Sequence, residues 1–248
     1  MHKIFWDKDN IGVICNKLNA VNHSHCILQI FLSFDAPMEI IVGERCISGK
    51  CVIINKNVPH SVVSNEQMRL SIFIEPTANL SHQLAKKLIS DYLICDKENI
   101  AEIQRKAVEL ISASQNIYQS FINNLIDYLG LKIAHPILDE RIKQTMNLLK
   151  DCDFYDHTIK YFSDKVALSP SRLSHLFREQ IGVPLKSYII LHQLEKAFTA
   201  LFDGKNITDA AMIAGFDSSS HFAATTKKWL GMPVSISIKD SEFLKAII

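Results

Sequence analysis

The sequence predicts an α+β multidomain chain: a small antiparallel β-barrel, a helical segment, and an all-α domain of two helix-turn-helix units joined by a long helix. Three observations predict it. Short β-rich runs recur from about Gly12 to Ile74, the apolar period changes to three and four residues from Ala78 onward, and the last third repeats itself. A chain of 248 residues that is 48% hydrophobic can bury a core in each of two ordinary domains.

The barrel comes first. CILQIFLSF, MEIIVG, KCVIIN and MRLSIFI are rich in β-branched and aromatic residues, and turn material such as FDAP, GERCISG and NKNVP separates them. Strands so closely spaced suggest an antiparallel barrel or sandwich, assigned to residues 1–77. Residues 78–132 then read as helices at 79–95, 98–113 and 115–132. The last of these has two apolar stripes, Ile117, Phe121, Leu125 and Tyr128 on one side and Ile122, Ile126 and Leu129 on the other. One stripe can cover the barrel and the other can meet a second copy, which makes this a candidate dimerisation segment. His135-Pro136 breaks the helical pattern, because the residue before a proline avoids the α region, and the domain boundary is placed within 131–138.

Residues 137–248 read as all helical and contain the repeat. TIKYFSDKVALSPSRLSHLFREQIGVPL (158–185) aligns with NITDAAMIAGFDSSSHFAATTKKWLGMPV (206–234). Ala167 meets Gly215 and Leu168 meets Phe216; after one extra residue in the second turn, Ser169 meets Ser218 and Arg178 meets Lys227. Each copy, 158–182 and 206–231, reads as short helix, tight turn, serine cap, second helix and a Gly-x-Pro stop. Ser169 suits the N-cap and Pro170 the first helical position, where a missing N–H costs nothing. Gly215 permits a left-handed corner; Ala167 should adopt it at a cost of about 1 kcal/mol or more. On the second helix of the first copy Leu173, Leu176 and Phe177 face inward. Ser171, Arg172, Ser174, His175 and Arg178 face outward, a polar and partly cationic set suited to a major groove.

Charge permits this reading without demanding it. The net charge is +1; residues 1–136 hold 13 basic and 13 acidic side chains, whereas 158–239 hold 10 basic and 6 acidic, a local excess of +4. Six cysteines form no CxxC pair and read as reduced thiols. No charged-then-apolar leader and no apolar run near about eighteen residues is found, so a cytoplasmic protein without membrane association is expected.

With these motifs in hand, the chain resembles the AraC/XylS family of bacterial transcription regulators, most strongly in LSPSRLSHLFREQIGVPLKSYI and ITDAAMIAGF-DSSSHF, and over about 137–239 in all. The resemblance implies a sequence-specific DNA-binding regulator, an activator, whose N-terminal domain is cupin-like and controls it. Its implied partners are double-stranded DNA, RNA polymerase, a second copy of the chain, and a small-molecule or protein effector. Base-facing positions carry over to Ser171, Ser174 and His175 in the first unit and to Ser219, Ser220, Ala223 and Ala224 in the second. Arg172 and His221 complete the exposed sets. Phosphate contacts are expected at Ser169 and Ser218 and from Arg178, Lys227 and Lys228. The chain departs from the family at Thr226, where a core phenylalanine is usual, at Ala224, where a long polar residue is common, and at Ile238, where arginine is usual.

His23, His25, Gln29 and His60 form a second constellation. The spacing resembles the metal set of metal-binding cupins, with Gln29 in the glutamate position. A neutral amide lowers metal affinity, so these residues are read as polar lining of an effector pocket, with no metal and no other cofactor. Two readings compete with the regulator: a metal-dependent cupin enzyme with a helical tail, and a protein-binding anti-activator. Since no base or nucleophile stands beside the histidines, a non-enzyme is expected.

Overall fold

The computed structural model describes residues 2–16, 20–62, 67–132, 134–151, 158–235 and 241–245. The chain divides into two compact units, residues 1–135 with 228–248, and residues 136–227. The C-terminal residues from Lys228 thus group with the β-rich unit, although the sequence pattern carries the helical domain through residue 248.

The β-rich unit holds two sheets. The larger contains β1 (His2–Trp6), β2 (Asn10–Cys15), β4 (Leu28–Ser33), β7 (Cys51–Ile54), β9 (Arg69–Ile74), β10 (Tyr92–Ile94) and β11 (Ser241–Lys245), in the order β10-β7-β4-β9-β2-β1-β11. The smaller contains β3 (Ala20–His23), β5 (Met38–Val42), β6 (Arg45–Gly49) and β8 (His60–Val62), in the order β3-β8-β5-β6. These are open sheets, and the expected closed barrel is corrected accordingly. The reason lies in β4 and β7, whose residues are buried on both faces. Leu28, Ile30, Leu32, Cys51 and Ile53 join one core, whereas Phe31, Val52 and Ile54 join another. A strand apolar on both faces needs a layer on each side. The small sheet covers one side: Met38, Ile40 and Val42 of β5 alternate with exposed residues and fill the second core. Helices α1 (Asn79–Lys87), α2 (Ile100–Glu109) and α3 (Gln115–Leu129) supply side chains to the first core.

Three further expectations are corrected. The helix expected over 79–95 stops at Lys87, and Tyr92–Ile94 instead pairs antiparallel with β7. Ser90-Asp91 breaks the helical period, and Tyr-Leu-Ile has high β-propensity beside an open sheet edge. GERCISG is not all turn, since Arg45–Gly49 pairs with β5. The all-helical tail is likewise incorrect: Ser241–Lys245 runs parallel to β1. Both apolar stripes of α3 are largely consumed inside this unit. Phe121, Leu125 and Tyr128 are buried, and so are Ile122 and Leu129; Ile117 is 47% exposed.

The helical unit begins with α4 (Glu140–Asp151). The repeat follows as α5 (Ile159–Lys165), α6 (Pro170–Ile181), α7 (Leu185–Phe202), α8 (Ile207–Ile213) and α9 (Ser219–Leu230). The pairs α5/α6 and α8/α9 have the same helix lengths, 7 and 12 residues, and the 18-residue α7 lies between them.

Candidate nucleic-acid interface and histidine cluster

Each helix-turn-helix is built from local chemistry that the two copies share. The first helices are capped in the same way: Thr158 Oγ1 accepts from the Tyr161 N–H at 3.1 Å, and Asn206 Oδ1 accepts from the Asp209 N–H at 2.9 Å. Both corners close by the same pair of backbone bonds. Leu168 N–H donates to Ser163 O at 3.0 Å and Ala167 N–H to Asp164 O at 3.4 Å; Phe216 N–H donates to Ala211 O at 2.9 Å and Gly215 N–H to Met212 O at 3.0 Å. This is a Schellman closure, which needs a left-handed residue just past the helix. Gly215 supplies it at φ 75° and Ala167 at φ 52°, as the alignment requires. Gln193 of α7 donates to Gly215 O at 2.9 Å, tying the second corner to the linking helix.

The second helices are also capped alike. Ser169 Oγ accepts from the Arg172 N–H at 3.2 Å, with Pro170 opening α6, and Ser218 Oγ accepts from the His221 N–H at 3.1 Å. Both capping serines are exposed at the helix start. Leu173, Leu176 and Phe177 are buried, as is Phe222 in α9. Ser171, Arg172, His175 and Arg178 are exposed and Ser174 is half-buried; its hydroxyl donates to Pro170 O at 2.8 Å, leaving its lone pairs as acceptors. On α9, Ser220, His221, Ala223, Ala224, Lys227 and Lys228 are exposed and Ser219 is half-buried. Two exposed helix faces result, one rich in hydrogen-bonding groups and one carrying two alanines.

Some participants were not foreseen. Asp217 lies 3.2 Å from His221 Nδ1, so the imidazole at the start of α9 is already engaged. An Asp-x-x-x-His spacing across a cap was the available signal. Thr226 is fully buried where the first copy has Phe177, and its Oγ1 has no hydrogen-bond partner among the described residues. Ile238, the third departure, lies outside the described residues, as does Cys152. Cys15, Cys26, Cys51 and Cys95 are buried and Cys46 is exposed.

The second constellation assembles as well. His23 on β3 is directly paired with His60 on β8, His25 follows β3, and Gln29 sits on β4 two residues from Phe31, whose side chain faces the small sheet. All four are buried. The ring centroids of His23 and His60 are 4.3 Å apart and those of His25 and His60 are 5.2 Å apart. Each Nδ1 stands 2.9 Å from a backbone carbonyl: Val21 for His23, Ile27 for His25 and Val58 for His60. A carbonyl only accepts, so each Nδ1 carries the proton and each Nε2 carries the lone pair. Burial pushes the His25 imidazole down to about 3 and His60 to about 4, with neighbouring imidazoles adding to the effect. Burial also lowers His23, against the backbones of Val21 and His60, which favour its charged form.

Two capped helix-turn-helix units joined by a helix define a tandem helix-turn-helix protein, and the comparisons agree. The family model described as "Helix-turn-helix domain" matches residues 162–236. The arabinose operon regulatory protein of Salmonella typhimurium is 32% identical over 99 residues, covering 39% of this chain but only 35% of that protein. The melibiose operon regulatory protein of Escherichia coli is 22% identical over 244 residues, covering 85% of this chain and 81% of its own. Among solved structures, ToxT from Vibrio cholerae has the same two-part α+β fold, with TM-score 0.58, 15% identity, and coverage of 93% of this chain and 98% of ToxT. The chain thus carries a helix-turn-helix domain, is similar in that region to the arabinose operon regulator, and spans only about a third of that relative's length.

Proposed function

We propose that this chain is a sequence-specific DNA-binding transcriptional activator, acting in the cytoplasm and controlled through its β-rich unit, which plays the part of a cupin-like regulatory domain. The observation that carries the reading is the pair of capped, 12-residue second helices, each presenting an exposed polar face over a buried apolar one. A helix held this way by its partner can lay its outward face in a major groove. In the first unit, Arg172 and His175 can donate to guanine N7 or O6, Ser171 can exchange hydrogen bonds with either edge, and Ser174 can accept from a base amino group. In the second unit, Ser219, Ser220 and His221 are the polar reading groups, while Ala223 and Ala224 can touch only a thymine methyl. Ser169, Ser218, Arg178, Lys227 and Lys228 would hold phosphate and set register.

Control through the β-rich unit is supported by the resemblance to AraC/XylS regulators and by a buried polar cluster inside it. ToxT, which shares the fold, has been solved with an unsaturated fatty acid bound, and a small-molecule effector is the corresponding proposal here. RNA polymerase contact and a homodimer complete the reading, which treats the chain as a regulator and not an enzyme. The test is genome-wide mapping of DNA bound by the full chain, followed by footprinting of one site and transcription from it in vitro. Protection of two adjacent major-groove segments, with transcription rising on binding, is the expected result. Retention of random duplex as strong as that of the mapped site would end the reading.

A further inference from the structure

We infer that His23, His25 and His60 form a binding site for a single divalent first-row transition-metal ion, with the Gln29 side-chain oxygen as a fourth ligand. In the sequence, Gln29 is the residue that argues against metal at this site; the geometry gives it another role.

The lone pairs decide the matter first. With each Nδ1 committed to a backbone carbonyl at 2.9 Å, every Nε2 is an acceptor. The Nε2 atoms of His25 and His60 both stand 3.1 Å from one atom, Gln29 Oε1, which is also an acceptor. One ligating nitrogen from each of the three histidines lies within 4.8 Å of the others. Lone pairs gathered this way repel unless something positive sits among them. Ligands about 2.1 Å from one ion stand roughly 3.0–3.4 Å apart at right-angle or tetrahedral geometry, so the two 3.1 Å separations have the length of coordination edges.

The surroundings fit an ion. The Nδ1–carbonyl bonds are the outer-shell contacts that fix tautomer and ring direction in metal-bound imidazoles, and three of them occur together. Phe31 and Phe73 lie edge-on to His60 and His25, with ring centroids 6.1 and 6.0 Å away, and form an apolar shell. His23 and His60 face each other across paired strands of the small sheet, while Gln29 comes from the large sheet. An ion here cross-links the two layers. Three imidazoles and an amide oxygen, without thiolate or carboxylate, suit zinc, cobalt, nickel or iron(II) rather than calcium or magnesium, which prefer all-oxygen cages.

The competing arrangement has the Gln29 amide turned over, so that its NH2 group donates to both Nε2 atoms and no ion is needed. Ion binding by the wild type separates the two, because an amide that donates to both Nε2 atoms occupies the lone pairs an ion would need. Gln29→Glu gives an ion a charged ligand and should tighten binding further.

The experiment uses the full chain, stripped with chelator and titrated with cobalt(II) chloride, read by the visible d–d absorption of cobalt and by metal content after equilibrium dialysis. One ion per chain is expected, displaced by zinc, with a rise in melting temperature that grows with free metal. His25→Ala and His60→Ala should each weaken binding about 100-fold or more, and Gln29→Glu should tighten it about tenfold. If an alanine variant fails to fold in chelator, the cobalt titration of the wild type, with its stoichiometry and zinc displacement, carries the test. Absence of stoichiometric cobalt in the wild type, or a Gln29→Glu variant that binds no ion, overturns the site. Neither readout involves DNA, so the site and the regulator reading stand or fall separately.

Discussion

The first and second helix-turn-helix units share a skeleton and differ in what they place on it. Each has a 7-residue helix capped by a side chain, a Schellman corner, a serine cap and a 12-residue second helix. Three kinds of difference matter most. The corner is alanine in one and glycine in the other; the inner face has Phe177 in one and Thr226 in the other; and Ser174-His175 on the outer face of one becomes Ala223-Ala224 in the other. The first unit therefore keeps its packing and its base-reading groups but strains its corner. The second relaxes its corner while losing an aromatic core residue and the polar pair at Ser174-His175. What the pair teaches is that the geometry of this unit is secured by caps and backbone closure, which leaves the reading face free to vary.

The comparison predicts a division of labour, and the largest expected effect tests it directly. His175→Ala should cost about 1–3 kcal/mol on the preferred site and relax one base position, measured by binding to a panel of single-base variants. Ser220→Ala in the second unit should cost less. A selection that returned a sharp consensus only in the half-site beneath α9 would reverse the assignment.

Next comes phosphate. Pro170 lacks an N–H, whereas Ser219 and Ser220 open α9 with two, so the second unit offers more backbone donors at its helix start. Lys227→Ala or Lys228→Ala should weaken binding to all sequences alike. Each should also flatten the plot of log affinity against log salt by about 0.9, the slope that one neutralised phosphate contributes. An effect confined to one sequence would mean that these lysines read bases.

Thr226 sharpens the contrast in packing. A buried hydroxyl without a partner costs about 1–3 kcal/mol relative to an apolar group of the same shape. Thr226→Val should therefore stabilise the protein by roughly 1 kcal/mol, read as a higher urea midpoint at unchanged slope. A lower midpoint would show that the hydroxyl has a partner the static geometry lacks.

Legibility in the sequence followed the range of the interaction. Caps, the left-handed Ala167, the one-residue difference between corners and the inward set Leu173, Leu176 and Phe177 all depend on neighbours within a few residues, and all were readable. Strands β4, β5, β7 and β9 were readable from their apolar runs. Strands β6, β10 and β11 were not: β6 is a polar edge strand read as turn, β10 has three residues at the end of a helical pattern, and β11 pairs with residues more than 200 positions away. The histidines were visible as a set. Their mutual approach was not, because it depends on the β3–β8 register and on which face of β4 carries Gln29. The close spacing of β-rich runs suggested a barrel where two sheets and a helical layer formed, because a run such as CILQIFLSF announces burial without saying how many layers will provide it.

The smallest effect is at the corner itself, where the two units can be exchanged. A left-handed conformation costs an L-residue about 1–2 kcal/mol, because Cβ approaches the following carbonyl oxygen. Ala167 bears this cost at φ 52°. Replacing it with glycine removes the cost but restores freedom to the unfolded chain, worth about 0.4–1 kcal/mol in the opposite direction. Ala167→Gly should thus stabilise the helical unit by only about 0.5–1 kcal/mol. The reciprocal Gly215→Ala, at φ 75°, brings both effects into play with the signs exchanged and should destabilise by a similar amount. Made together, the two changes should nearly cancel in a urea titration, since each acts on its own corner and they share no partner. If Ala167→Gly instead lowers the midpoint while Gly215→Ala leaves it unmoved, the first corner is not left-handed in solution. The two units would then differ in skeleton as well as in surface.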